Sequence, residues 1–410
     1  MSFDPTTIRP LFPALAQEVA GRPAIFFDGP GGTQVPQTVI EAISRYLARD
    51  NANTHGAFIT SQRTDATIAA AHAAMADLLG CAPDEVFFGQ NMTSLTFALS
   101  RAIGRELQPG DEIVVTRLDH DANVAPWRAL SERGVVIREV DIDVEDCTLD
   151  MADMAVKIGP RTKLVAVGYA SNAVGTINDV QQVVAWAHQV GALVFVDAVH
   201  YAPHGPIDVK ALDCDFLACS VYKFFGPHVG VIYGKREHLQ RLQPYKVRPA
   251  ADTVPERWMT GTQNHEGLAG VTAAIDYLAS LGQPAATRRA ALVTAMERIA
   301  AYERELAAQL IKGMLAIPGL TFYGIREPER FSWRTPTVSF RLANLPPREV
   351  AEQLAARGIF VWDGNYYALN LSERLGVEPL GGMVRVGLVH YNTAAEVDYF
   401  LEALRELAAL

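Results

Sequence analysis

The sequence predicts an α/β protein: a large domain built on a mostly parallel sheet, joined to a smaller α+β domain. Three observations carry this reading. Strand-like and helix-like segments alternate from about residue 85 to 235, the pattern of a parallel sheet covered by helices on both faces. A second composition, with two long alanine-rich helical stretches, begins near residue 265. The chain is 410 residues long, 49% apolar and 20% charged, which exceeds one ordinary domain of about 150 residues and suits a well-filled core.

The elements follow in order. VFF at 86–88 leads into a helix-compatible TSLTFALSRAI, and EIVVT (112–116) precedes ANVAPWRALSERG and the strand VVIREV (135–140). KLVAVGYA (163–170) precedes the amphipathic VQQVVAWAHQVG, which leads to ALVFVDAV (192–199). DFLACS (215–220) and GVIYG (230–234) complete the series. Short runs rich in β-branched residues, separated by helical periodicity, are the mark of parallel strands and their crossovers. Beyond them, helices are expected over about 265–281 and 285–314, then a strand at TVSFRL (337–342), a helix at PREVAEQLAARG (347–358), a strand at MVRVGL (383–388) and a last helix from Ala394. Residues 20–284 are read as the large domain, and 285–410 with 1–19 as the small one.

The charge sum, 36 basic against 46 acidic residues, is −10. This argues against a non-specific binder of nucleic acid or anionic membrane. No apolar run reaches the roughly 18 residues of a membrane span, and the first residues, MSFDPTTIRP, show no secretory pattern. Cys81, Cys147, Cys214 and Cys219 lack CxxC spacing and read as thiols of a reducing, cytoplasmic compartment. A chain of this size needs no structural metal, and none is expected.

In open α/β sheets, ligands bind beyond the carboxyl ends of the strands. Asp197 ends an apolar strand, where it is either a turn former or a functional acid. Lys223 lies between two apolar stretches, LACSVY and FFGPHVG, where a lysine is paired, snorkelling or functional. Desolvation lowers a lysine pKa and makes the amine nucleophilic. A lysine about 25 residues after an aspartate, each at a strand end, fits pyridoxal phosphate chemistry. The amine holds the aldehyde, and the carboxylate keeps the pyridine nitrogen protonated.

The stretch FVDAVHYAPHGPIDVKALDCDFLACSVYKFFGPHVGVIYG resembles the core of class V aminotransferases, in particular their cysteine desulfurase and selenocysteine lyase branch. The resemblance extends over nearly the whole chain, through FFDGPGGTQVP, DHDANVAPW (119–127), SNAVGTI (171–177), RWMTGTQN (257–264) and VRVGLVHYNT (384–393). It implies a pyridoxal-phosphate enzyme of fold type I acting on a small α-amino acid. Lys223 would then be the lysine that bonds the cofactor and moves protons, and Asp197 the partner of the pyridine nitrogen. His120 would stack on the ring as a second catalytic residue, and His200 would stand where desulfurases usually carry glutamine beside the ring hydroxyl. Met92, Thr93 and Ser220 would hold the phosphate. Thr262 would reach it from the neighbouring subunit of a homodimer. Asn172 would lie near the ring hydroxyl and the substrate carboxylate, and Arg385 would bind that carboxylate by a bidentate fork. GPGG at 29–32 is a weak dinucleotide-loop signal and reads as a turn near the site entrance.

Members of that branch carry a nucleophilic cysteine between the helix at 347–358 and the strand of Arg385. Here the stretch is GIFVWDGNYYALNLSERLGVEPLGGMVRVGL, without a cysteine. Tyr367 takes the nucleophile's position, with Gly364 and Ala368 matching its neighbours. Trp362, Tyr366 and Tyr367 form either an aromatic wall over the substrate or ordinary packing. Carbon–sulfur or carbon–selenium cleavage without a protein persulfide is therefore expected. The alternatives are an aminotransferase or epimerase on another amino acid, and a catalytically silent cofactor-binding protein.

Overall fold

The computed structural model describes residues 3–410. Its centre is a seven-stranded sheet in the spatial order 86–89, 230–234, 216–220, 193–197, 162–168, 112–116, 136–140. All strands run parallel save Gly230–Gly234, which is antiparallel to both neighbours. The inner strands are buried on both faces, as in Val194, Phe195, Val196 and Phe216, Leu217, Ala218. This is why they read as continuous apolar runs rather than alternating ones.

One expectation is modified, and one region is filled. The segment at 122–134 is a broken helix: Ala125–Arg128 flanked by 3-10 turns at Asp121–Asn123 and Ala129–Arg133. Pro126 at its second position and Gly134 at its end limit its length. The region before residue 85, to which the sequence reading assigns no elements, supplies two helices, Gln37–Arg49, which is amphipathic, and Ile59–Leu79. Both pack on the helix His265–Ser280. Ile59–Leu79 buries alanines as well as leucines, so its apolar stripe is faint in sequence.

A second, antiparallel sheet of four strands has the order Leu320–Tyr323, Thr337–Leu342, Met383–Gly387, Trp362–Gly364. The helices Pro347–Ala355 and Ala394–Ala408 pack against each other beside it. The helix Arg288–Leu315 spans both cores. Ala291, Leu292, Met296 and Ile299 join the cluster under the large sheet, while Leu306, Leu310, Ile311 and Met314 join that of the small one. The N-terminal segment is shared in the same way. Phe12 packs edge-on to Phe225, Tyr277 and Tyr391, whereas Ile25–Phe26 pairs in parallel with Ile359–Phe360. Among the described residues no helix is long and apolar enough to cross a membrane.

Candidate active site

The carboxyl ends of the parallel strands open into one cavity of about 1160 Å³ that also meets the small sheet. Met92, Thr93, His120, Asn172, Asp197, His200, Ser220, Lys223, Tyr367 and Arg385 all line it. Thr262 does not; it stands exposed in the turn before the helix His265–Ser280.

Lys223 closes a 3-10 turn directly after the strand Phe216–Ser220. Its Nζ donates to Pro30 O and lies 4.9 Å from the Tyr222 ring centroid. Burial, then the Arg385 charge, lower its pKa to about 7, against the opposing pull of Asp197 and Asp28. The amine is therefore available as a neutral nucleophile near neutral pH. Asp197 ends the adjacent strand Leu193–Asp197, its Oδ1 accepting from Val199 N at 2.9 Å. Burial raises its carboxyl to about 6, so a protonated nitrogen placed beside it would restore the charged form.

His120 is fixed by its own turn. Its Nδ1 accepts from Ala122 N at 3.0 Å, which leaves the ring proton on Nε2. Burial, with Lys223 and Arg385 nearby, lowers its pKa to about 4, so the ring is neutral and suited to stacking. The preceding Asp119 had no signal of its own in the sequence. Its buried carboxylate accepts from Gly168 N at 2.7 Å and Asn123 Nδ2 at 3.0 Å, tying the His120 turn to the strand Thr162–Gly168.

The helix Met92–Ile103 points its first turn into the cavity. Asn91 caps it by accepting from Ser94 N at 2.8 Å. A side chain on Gly230 would collide with the backbone of Asn91 and Met92, so the strand Gly230–Gly234 must approach this turn as bare backbone. Free N–H groups at a helix start, with Thr93 and Ser220 beside them, form a cradle suited to a phosphate dianion.

Arg385 is buried in the strand Met383–Gly387. Its Nη1 donates to Asn172 O at 2.9 Å, and its Nε has no partner. Burial lowers its pKa to about 10, so it stays charged. Tyr366 is the principal residue that sequence reasoning left undecided. Its ring lies 4.3 Å under the guanidinium, its hydroxyl donates to Met383 O, and its carbonyl accepts from Asn172 Nδ2 at 2.9 Å. Asn172 Oδ1 is buried without a partner. Two unpartnered polar atoms on the cavity wall, one a cation's N–H, mark a place for a carboxylate and a hydroxyl.

Of the three aromatic residues in the loop, Tyr366 packs under Arg385 while Tyr367 faces the cavity. Tyr367 is 73% exposed and stacks on His120 at 5.5 Å and 25°. Its carbonyl accepts from Asp121 N at 2.7 Å. Both tyrosines have left-handed backbones, φ 55° and 59°, a conformation that costs a non-glycine residue of order 1 kcal/mol or more. Trp362 packs against Gly31, so the GPGG turn belongs to the site wall. None of the four cysteines lines the cavity. Burial pushes the thiols of Cys81, Cys147 and Cys214 up to about 12, and that of Cys219 higher still.

Lys223, Asp197, His120, Met92, Thr93 and Arg385 thus converge on one cavity at the strand ends, an arrangement that suits a pyridoxal-phosphate-dependent enzyme. The family model for aminotransferase class V matches residues 25–400. The chain belongs to that family. It is similar to a cysteine desulfurase of Pectobacterium atrosepticum, 32% identical over 100% of this chain and 99% of that protein. A probable cysteine desulfurase of Mycolicibacterium paratuberculosis is 35% identical over 99% of this chain, which spans 58% of that relative's length. Among solved structures, a cysteine desulfurase from Thermococcus onnurineus superposes with a TM-score of 0.89 at 29% identity, covering both chains fully. One from Escherichia coli gives 0.84 at 27% identity, again over both chains.

Proposed function

We propose that the chain holds pyridoxal phosphate on Lys223 and cleaves the carbon–sulfur or carbon–selenium bond of a cysteine-type amino acid without passing sulfur to a protein thiol. The observation that carries this is the loop of 361–382, which presents Tyr367 to the cavity and contains no cysteine. A phenol does not accept sulfur as a persulfide, and the buried, high-pKa thiols elsewhere are poor nucleophiles.

Bound at this site, pyridoxal phosphate supplies an electron sink for the pair released at Cα. Met92, Thr93 and Ser220 would hold its phosphate, with Thr262 contributed by the second subunit of a homodimer. Asp197 would bind the pyridine nitrogen, His120 would cover one ring face, and Asn172 and His200 would meet the ring hydroxyl. Arg385 orients the substrate carboxylate, so that Cα–H points at one face of the site. Lys223, as a neutral amine, takes the Cα proton and can return it. The Cβ–S or Cβ–Se bond then breaks, the chalcogen leaving with the bond pair as hydrosulfide or hydroselenide while the electrons from Cα–H form a Cα=Cβ bond. Water converts the three-carbon remainder to pyruvate and ammonia. Tyr367 and Trp362 form the wall around the leaving group.

The test is turnover of cysteine and selenocysteine by purified, cofactor-loaded protein, with intact-mass analysis during turnover. Sulfide or selenide release with unmodified Cys81, Cys147, Cys214 and Cys219 is expected. A persulfide on any of these cysteines, or amino-group transfer to an oxo acid with no sulfide formed, would overturn the reading. Amino-group transfer of that kind would make the chain an aminotransferase on another substrate. A second outcome is expected for the dimer: Thr262→Ala lowers retention of the cofactor on gel filtration several-fold and leaves the subunit association unchanged.

A further inference from the structure

Glu303 sits on the buried face of the helix Arg288–Leu315, in line with Ile299, Leu306, Ala307 and Leu310. Its side chain is 1% exposed, yet it is a carboxylate. Its Oε2 lies 2.7 Å from His204 Nδ1, and its Oε1 has no hydrogen-bond partner. A helix that buries leucine and alanine along this stripe has no packing need for an acid, and buried ion pairs are often no more stabilising than well-packed apolar residues. The position calls for another explanation.

The pair stands one ring away from the active site. The His204 ring centroid is 5.3 Å from that of His200, with the planes at 66°. His200 lines the active-site cavity, whereas His204 and Glu303 line a second cavity of about 290 Å³ behind it. The two histidines are thus part of the wall between the cavities. On its other side His200 Nε2 lies 3.3 Å from Thr335 Oγ1, and that hydroxyl donates to Gly175 O, also at 3.3 Å. With the hydroxyl proton committed to Gly175, Nε2 carries the ring proton and Nδ1 is left as an acceptor.

We propose that Glu303 and His204 are positioning residues for His200, holding its ring in the one orientation in which Nε2 meets Thr335 Oγ1 and Nδ1 accepts a hydrogen bond from the group bound in the active-site cavity. Glu303 fixes the His204 ring by taking its Nδ1–H, and the His204 edge fixes the His200 face. Burial first, then the neighbouring His204, Arg385 and Lys223, disfavour a second proton on His200. Glu303 in turn faces His204 and the backbone of His390. A glutamine at position 200 offers an amide that donates as readily as it accepts. A histidine held this way is an acceptor only, which changes the charge carried by a ring hydroxyl beside it. The proposal rests on the reading of His200 as the neighbour of that hydroxyl.

Two measurements test it on Glu303→Gln and, should that variant fail to fold, on His204→Asn. Histidine-selective ¹⁵N NMR of the cofactor-free protein reads the His200 tautomer. It is expected to show Nε2–H only in the wild type and a mixture of tautomers in the variant. The pH titration of the visible band of the cofactor-loaded protein is expected to shift its midpoint in the variant. In a His200→Gln background the same Glu303→Gln change should leave the midpoint where it is. An unchanged His200 tautomer, or an equal shift with histidine and glutamine at position 200, would overturn the proposal. A protein that forms no visible band at all fails the cofactor reading instead, and the NMR measurement still decides the positioning role.

Discussion

Lys223→Ala is expected to lose both the visible absorption of the cofactor-loaded protein and its turnover of amino acids. The amine lines the cavity beside a strand end, and its pKa near 7 rests on burial and on Arg385. On the proposed role, its removal would take away the covalent anchor and the proton carrier together. Loss of a positioned acid–base group alone costs about 10²–10⁴-fold in rate, so kcat should fall by at least about 10³-fold. The cradle at Met92 and Thr93 remains, so pyridoxal phosphate should still bind, more weakly and with the spectrum of the free aldehyde. Absorbance spectra and single-turnover kinetics of the two proteins check this. The pH dependence follows from the same shift. A lysine whose pKa is lowered from 10.5 to about 7 is protonated below that value and neutral above it. Capture of the cofactor by the empty protein should accelerate as pH rises through about 7 and then level off. Arg385→Gln removes a cation that holds this pKa down, so the same profile should move to higher pH.

The second large effect is expected at Arg385. Arg385→Lys keeps the charge but loses the planar fork, the hydrogen bond to Asn172 O and the face-on contact with Tyr366. Each hydrogen bond to a charged group lost with the fork costs about 1.5–3 kcal/mol, or roughly 10-fold to 150-fold. kcat/KM for a cysteine-type amino acid should therefore drop by about 10²-fold or more. The visible spectrum of the loaded, substrate-free protein should change little, since the partner proposed for Arg385 is the substrate carboxylate. An amine lacking the carboxylate, such as cysteamine, separates specific recognition from general damage. The variant should react with it about as well as the wild type does. An equal loss with cysteine and cysteamine would remove Arg385 from carboxylate recognition.

Much of this site is legible along the chain because its residues follow strands. Asp197, Ser220, Lys223 and Thr93 stand where an apolar run ends and the backbone turns, and a polar residue there is conspicuous. Arg385 is conspicuous for the opposite reason, as a cation inside the apolar strand Met383–Gly387. The residues that sequence reasoning missed act through long-range contacts. Asp119 is one aspartate in a loop until Gly168 N and Asn123 Nδ2 close on it. Pro30 reads as a turn residue until its carbonyl meets Lys223. Tyr366 and Tyr367 are adjacent and chemically identical, and nothing local assigns one to Arg385 and the other to His120. Their left-handed backbones, held by Asn172, Asn365 and Asp121, decide it.

The amino-acid sequence by itself determined the α/β class, the strand series and the placing of Asp197 and Lys223 at strand ends. Each depends on residues close in the chain, where apolar periodicity and turn chemistry act directly. Only the tertiary structure decided that the helix Arg288–Leu315 serves two cores, that Glu303 is buried against His204, and that Tyr366 packs under Arg385 while Tyr367 stacks on His120. Those outcomes depend on desolvation and on partners more than 90 residues away, and burial is a property of the packed molecule that no local pattern carries.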